Sequence, residues 1–206
     1  MQVSQAVALM DAHAAPLQAL RFEDGHDEVM GKVFAHATAS LQQTREALKA
    51  GALDAAVAEL AAARRLMLFA DSTAQHIAHE AAARFLRLDT PLMVRADVAS
   101  QSHISALAER GDVVLRLSLG AREPQWTALR DTLLQRHASV LTITISGSPL
   151  ARAVPDHIAL DVAQSNDPFM PDVSATASLL LLESPALAVA LKRGKALGRT
   201  LQRAGL

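Results

Sequence analysis

From residue 64 onward the hydrophobic period of the chain switches. Short apolar or β-branched runs at 66–69, 91–94, 113–117 and 140–145, with a weaker one at 157–162, alternate with stretches of helical length at 74–88, 98–109 and 124–135, and a short turn at 148–153. Runs that are apolar on both faces predict strands buried on both sides, and the helices between them predict a parallel sheet with covered faces. Right-handed crossovers then yield an α/β fold, a three-layer, doubly wound, five-stranded parallel sheet, and the common strand order for such a sheet, 2-1-3-4-5, is the one expected.

The first third has a different texture. Residues 6–20, 27–49 and 53–63 are rich in Ala, Leu, Gln and Glu, and they predict an N-terminal helical extension. Within it Val29, Val33, Phe34, Ala37 and Leu41 recur at helical spacing and mark its expected apolar face. A last helix is predicted over 173–193, with Ser184-Pro185 placed to restart or kink it.

Composition narrows the function. Of 206 residues, 50% are hydrophobic and 20% charged, the balance of a chain that buries a core. Twenty basic and twenty-one acidic residues leave a formal charge of -1, so no global field draws in nucleic acid or an anionic membrane. The absence of Cys excludes disulfides, thiolate metal sites and cysteine nucleophiles. No secretory pattern opens the chain, and the apolar run at 179–182 is far short of the roughly 20 residues that span a bilayer. The expectation is a cytoplasmic protein with no membrane partner and no cofactor.

In an open parallel sheet, ligands sit beyond the carboxyl ends of the strands, where the winding direction reverses. That places Ala70-Asp71-Ser72-Thr73 and Ser118-Leu119-Gly120-Ala121-Arg122-Glu123 at the crevice between the first and third strands. Each loop leads into a helix whose free N–H groups favour an anion. Ser72, Thr73 and Ser118 offer hydroxyls there, and Arg122 offers a bidentate guanidinium. Ser72 or Thr73 could equally serve as a helix cap.

These residues resemble a family. Glu28-Val29-Met30-Gly31-Lys32-Val33-Phe34, residues 53–69 and 81–88, Asp112-Val113-Val114-Leu115-Arg116-Leu117-Ser118, and Ser148-Pro149-Leu150-Ala151 followed by Asp156 match, in order and spacing, segments of the sugar isomerase (SIS) domain. The resemblance is strongest to the form found in RpiR/MurR/HexR-type bacterial transcription regulators. It implies a helical extension over 1–62, an SIS-like α/β domain over 63–193 and a basic C-terminal tail over 194–206. It also implies a homodimer or homotetramer binding a sugar derivative, phosphorylated or not, with DNA reached only through a helix-turn-helix domain absent from this chain. The function expected is noncatalytic phosphosugar sensing for a transcriptional regulator. A sugar-phosphate isomerase and a pseudo-sensor acting only in assembly are the alternatives.

The ligand-binding residues expected from the resemblance are Ser72, Thr73, Ser118, Gly120, Arg122 and Glu123, with no catalytic or metal-binding residue. The family's G-x-G-x-S is replaced by Ala70, Ser72 and Ala74, and its S-x-S-G-x-T by Ser118, Gly120, Ala121 and Glu123. Asp71 and Glu123 add carboxylates; at an effective dielectric of ~20 and ~6 Å each opposes a unit negative charge by roughly 3 kcal/mol, on the order of a hundredfold in affinity. A degenerate phosphate site is the expectation.

Other clusters are weaker. His76, His79 and Glu80 share a helix face but match no zinc motif. Isomerisation needs a general base, and nothing selects among Glu80, Glu123 and His103. Ser146 and Ser148 lack a nucleophile elbow and suit connection turns. Trp126, the only Trp beside no Tyr, is expected to pack. Lys192, Arg193, Lys195, Arg199 and Arg203 form a basic end suited to a solvated helix terminus.

Overall fold

The computed structural model describes residues 19–71, 73–119, 125–154, 157–162 and 169–203. Two helices come first, α1 (His26–Ala47) and α2 (Ala52–Ala62). They lead into β1 (Arg65–Ala70), α3 (Gln75–Leu86), β2 (Leu92–Arg95), α4 (Val98–Ala106), β3 (Asp112–Ser118) and α5 (Gln125–Gln135). The chain continues through β4 (Ser139–Thr144), α6 (Pro149–Ala153), β5 (Ile158–Ala159) and α7 (Ser174–Arg203).

All strand pairings are parallel and the order is β2-β1-β3-β4-β5. Register follows from the apolar runs: Leu66 lies opposite Leu92 on one side and Val113 on the other, and Leu117 lies opposite Ile143. Alternation along the strands divides the core in two. Leu66, Leu68, Val113, Leu115, Leu117 and Ile143 pack against α2, α3 and α7. Met67, Phe69 and Val114 pack on the opposite face against Ile104 of α4, Trp126, Leu129 and Leu133 of α5 and Leu150 of α6. Every β3 residue is buried, as a central strand covered on both faces requires.

Two expectations about helices change. Helix α7 continues through Ser184-Pro185, and its non-helical backbone falls at Gly194 (φ 51°, ψ -132°), a conformation that only glycine adopts readily. Pro185 removes one helix N–H, but Leu181, Leu182, Ala186 and Val189 are all buried against the sheet layer and hold the helix together across the gap. By length and mean hydropathy Ser174–Gly194 could cross a membrane, a property hidden by the four-residue run at 179–182. Part of that apolar content is used inside the fold. Arg193 donates to the carbonyls of Leu88 and Ala61 and to Thr90 Oγ1, so it fastens α7 to the domain instead of being a solvated end.

Helix α1 docks by a polar stripe. Its buried residues are His36, Ser40 and Thr44, spaced i, i+4, i+8 along one face. Thr44 Oγ1 donates 2.5 Å to the Asp161 carbonyl just beyond β5. Of the apolar series expected along this helix, Val29, Val33, Ala37 and Leu41 are half-buried, with Leu41 packed against the core, whereas Phe34 is 68% exposed, and so is neighbouring Met30 at 57%.

Candidate functional site

Beyond the carboxyl ends of β1, β3, β4 and β5 lies a cleft of about 450 Å³. Thr73, Leu119, Ile145 and Val162 contribute one residue from each strand end. His36 of α1 closes one wall, and Met170, Pro171, Asp172, Val173 and Ser174, the approach to α7, form another. This is the location that strand topology dictates, but the hollow is broader than a crevice between two loops, because α1 and residues 170–174 also line it.

Asp71 ties the β1 and β3 ends together. It is 1% exposed. Its Oδ1 accepts from the Thr73 hydroxyl at 2.6 Å and the Ala74 amide at 2.8 Å, and its Oδ2 accepts from the Leu119 amide at 3.0 Å. Thr73 therefore spends its proton on Asp71, and among the described residues neither it nor another side chain caps α3, whose N-cap residue is Ala74. The carboxylate expected to face a ligand as a bare charge is instead turned inward onto backbone amides.

Arg116 lies beneath, midway along β3 and fully buried. Its guanidinium sits 4.9 Å above the Trp126 ring, a cation–π arrangement that uses the lone Trp for packing as expected. Burial lowers the Arg116 pKa to about 10, and the negative charge of Asp71 opposes that fall; the group is a cation at neutral pH. Ser118 and Thr142 share this interior, and their buried hydroxyls have no hydrogen-bond partner among the described residues.

Of the residues expected to bind ligand, Thr73 lines the cleft, whereas Ser118 is buried behind it. Ser72, Gly120, Arg122 and Glu123 lie outside the described residues. His76, His79, Glu80 and His103 face solvent, and among the described residues no group of three His, Asp or Glu side chains could hold a metal. Ser146 donates to Asp161 by N–H and Oγ, and Ser148 Oγ accepts from the Ala151 amide to cap α6, the turn roles expected of them. His36, Asp172 and Ser174 went unnoticed in the sequence. The signal for His36 is its place in the small polar i, i+4 series with Ser40 and Thr44, a pattern overshadowed by the apolar residues beside it.

With this geometry in view, similarity to known proteins is informative. The model of the SIS domain family matches residues 59–188. The chain belongs to the SIS domain family. This SIS chain is 30% identical over 181 residues to the HTH-type transcriptional regulator HexR of Escherichia coli (strain K12), an overlap covering 88% of the chain and 63% of the regulator. It thus spans less than two thirds of that relative's length. In fold it is similar to the Vibrio vulnificus NanR protein complexed with ManNAc-6P, with a TM-score of 0.71 and 16% identity, covering 98% of this chain and 71% of NanR. The sugar isomerase domain of the RpiR transcription factor from Sphaerobacter thermophilus superposes with a TM-score of 0.68 and 18% identity, covering 85% and 98%. The five-stranded parallel order 2-1-3-4-5 with helices on both faces is the SIS-like fold.

Proposed function

We propose that this chain is a noncatalytic effector-sensing domain of a cytoplasmic transcriptional regulator, and that a sugar derivative occupies the cleft between Thr73, Leu119 and His36. The observation that carries this reading is the cleft itself, open at the strand ends and walled by α1 and by the approach to α7. Thr73 and Ser72 would hold the ligand from the β1 side and Gly120, Arg122 and Glu123 from the β3 side, with Ser118 supporting the loop from below. The domain division at residues 62 and 193 belongs to the same reading, as does DNA binding through a domain outside this chain, on the pattern of the HexR regulator it resembles. Because α1 carries His36 into the cleft while its opposite side is exposed, a ligand that repositions α1 would shift an equilibrium between subunit arrangements.

A thermal-shift screen of sugars and sugar phosphates tests sensing. A ligand at a hundred times its Kd stabilises the folded chain by about 2.7 kcal/mol, which appears as a rise in Tm of several degrees. A coupled assay for aldose–ketose interconversion should remain at background. No shift with any sugar derivative would remove the sensing reading, and turnover abolished by His36→Gln would replace it with an isomerase.

The exposed apolar residues argue for a homodimer. Met30 and Phe34 on α1, and Leu180, Leu187 and Leu191 on α7 with Leu191 at 82% exposure, are bare apolar side chains of the kind that a subunit interface covers. Sedimentation velocity is expected to show a dimer that Phe34→Asp together with Leu191→Asp weakens at least tenfold. A monomer at micromolar concentration would refute it.

A further inference from the structure

Resting on the sensing reading, we infer that His36 is the residue through which a ligand is felt. A hydroxyl or carbonyl of the bound sugar derivative supplies the hydrogen bond that His36 lacks, and so fastens the N-terminal half of α1 to the domain.

The imidazole of His36 is 3% exposed and lines the cleft. Its Nδ1 has no hydrogen-bond partner among the described residues. Either neutral tautomer leaves that atom unsatisfied, because one ring nitrogen donates and the other accepts. A buried polar atom without a partner weakens a fold, so native structures keep few of them and each has a reason. The orphaned hydroxyls of Ser118 and Thr142 lie within the sheet. Among the described residues, His36 is the one side chain with such an atom that borders the hollow of about 450 Å³.

The surroundings select the partner's chemistry. Asp172 and Ser174 line the same cleft. Asp172 is exposed, and the Ser174 hydroxyl donates to its Oδ2 at 2.9 Å, which leaves the Ser174 oxygen as an acceptor. A carboxylate and an acceptor oxygen suit the hydroxyl groups of a sugar chain and oppose an anion. A ligand that carries a phosphate therefore turns its sugar end, not its phosphate, to His36. The contact comes from a helix, outside the β1 and β3 loops to which the resemblance assigns ligand binding.

The anchoring of α1 is uneven, and that makes the contact consequential. Leu41 and, just past the helix, Leu48 pack against the core. Thr44 Oγ1 reaches the Ser40 carbonyl at 3.0 Å and the Asp161 carbonyl at 2.5 Å. In the N-terminal half Val29, Val33 and Ala37 are half-buried, and His36 is the buried side chain. Lys32 pairs with Asp24 at 2.6 Å and Glu28 at 3.2 Å, contacts within the helix and its own approach. That approach leans on the cleft wall through Phe22, whose ring meets Phe169 edge-on at 6.4 Å with both residues exposed. The ligand's bond to His36 adds an anchor where this half of the helix has least, so occupancy and local opening of α1 are linked.

Calorimetric titration of the whole chain with hexose 6-phosphates, hexosamine 6-phosphates and pentose 5-phosphates tests this, with thermal unfolding and amide hydrogen exchange beside it. Leucine fills a similar volume without polar atoms. Unliganded His36→Leu is therefore expected to melt no lower than the wild type, yet to bind the tightest compound at least about tenfold more weakly. His36→Gln keeps a donor and an acceptor and should regain about threefold or more of that loss. In the wild type the bound compound should slow exchange of the amides at 30–38 by about tenfold or more; in His36→Leu at saturation it should slow them by less than about twofold. A lower unliganded Tm for His36→Leu would make His36 a structural residue and overturn the inference. Unchanged affinity, or equal protection of α1 in that variant, would overturn it too while leaving the sensing reading intact. Failure of every compound to bind the wild type would overturn both.

Discussion

Arg116→Ala is expected to destabilise the domain by about 3–5 kcal/mol, the range seen when one member of a buried charged set is deleted. Arg116 stands in register with Phe69 of β1 and Thr142 of β4, and its side chain is fully buried. Placing a cation there opposes folding by itself, as its lowered pKa of about 10 records. A base whose folded pKa lies below its unfolded value loses its proton first in the folded state. The burden is therefore present below about pH 10 and relaxes as pH rises from there toward the ordinary arginine value, so this group makes the domain more stable with pH across that window. Deletion nevertheless destabilises, because it strips the compensating charge from buried Asp71, removes the cation from the Trp126 face and opens a cavity in a packed layer.

Arg116→Met fills much of the volume without the charge and should lose less than the alanine variant. Combined with Asp71→Asn it should recover part of the loss, with a coupling of roughly 0.5–3 kcal/mol between the sites. Urea unfolding followed by Trp126 fluorescence reads all five proteins, the single Asp71→Asn variant included, since the only Trp lies over the guanidinium. An alanine variant within 0.5 kcal/mol of the wild type would show that Asp71 needs no counter-charge.

The fold was far more legible in the sequence than the site. Runs expected at 66–69 and 113–117 are observed as Arg65–Ala70 and Asp112–Ser118, and the weak run at 157–162 contributes only Ile158–Ala159. Strands buried on both faces advertise themselves because water is excluded from both sides and only apolar runs survive there. The strand order is the common one for a doubly wound sheet. Site geometry left no such imprint. A carboxylate turned inward and one turned outward are the same letter, and only Asp71's contacts with Ala74 and Leu119 distinguish them. His36 was missed for a related reason: periodicity marks the half-buried apolar series Val33, Ala37 and Leu41, and the polar residues His36, Ser40 and Thr44 buried beside it leave no such mark. The six-residue ligand set drew on loops near β1 and β3, whereas Asp172 and Ser174 approach the cleft from a segment with no strand or motif to mark it.

At the other end of the sheet, Asp112→Asn is expected to remove about 2–4 kcal/mol of stability while leaving cleft chemistry alone. Asp112 opens β3, pairs in register with Arg65 and is wholly buried. Its carboxylate accepts from Arg64 Nη2 at 2.9 Å, from Arg65 Nη2, and from the Glu109 amide at 2.9 Å. Burial alone would raise its pKa, but the Arg65 and Glu109 hydrogen bonds and the charges of Arg65 and Arg64 outweigh it and hold the carboxyl below its usual value of 3.8. Each charge-assisted bond contributes about 1.5–3 kcal/mol, discounted here because both arginines keep access to water. An acid whose folded pKa is depressed stabilises fully above its unfolded pKa, and that contribution drains away as pH falls from about 4 through the folded value. Wild-type stability should therefore drop over that acidic interval, and the Asp112→Asn profile should be flatter there. Since Asp112 lies at the amino ends of the strands and the cleft at their carboxyl ends, sugar affinity well below the Tm should be the same in both proteins. Parallel acid profiles would mean that the two arginines add nothing to the charged form of Asp112, and a loss of affinity would mean that the two ends of the sheet are coupled.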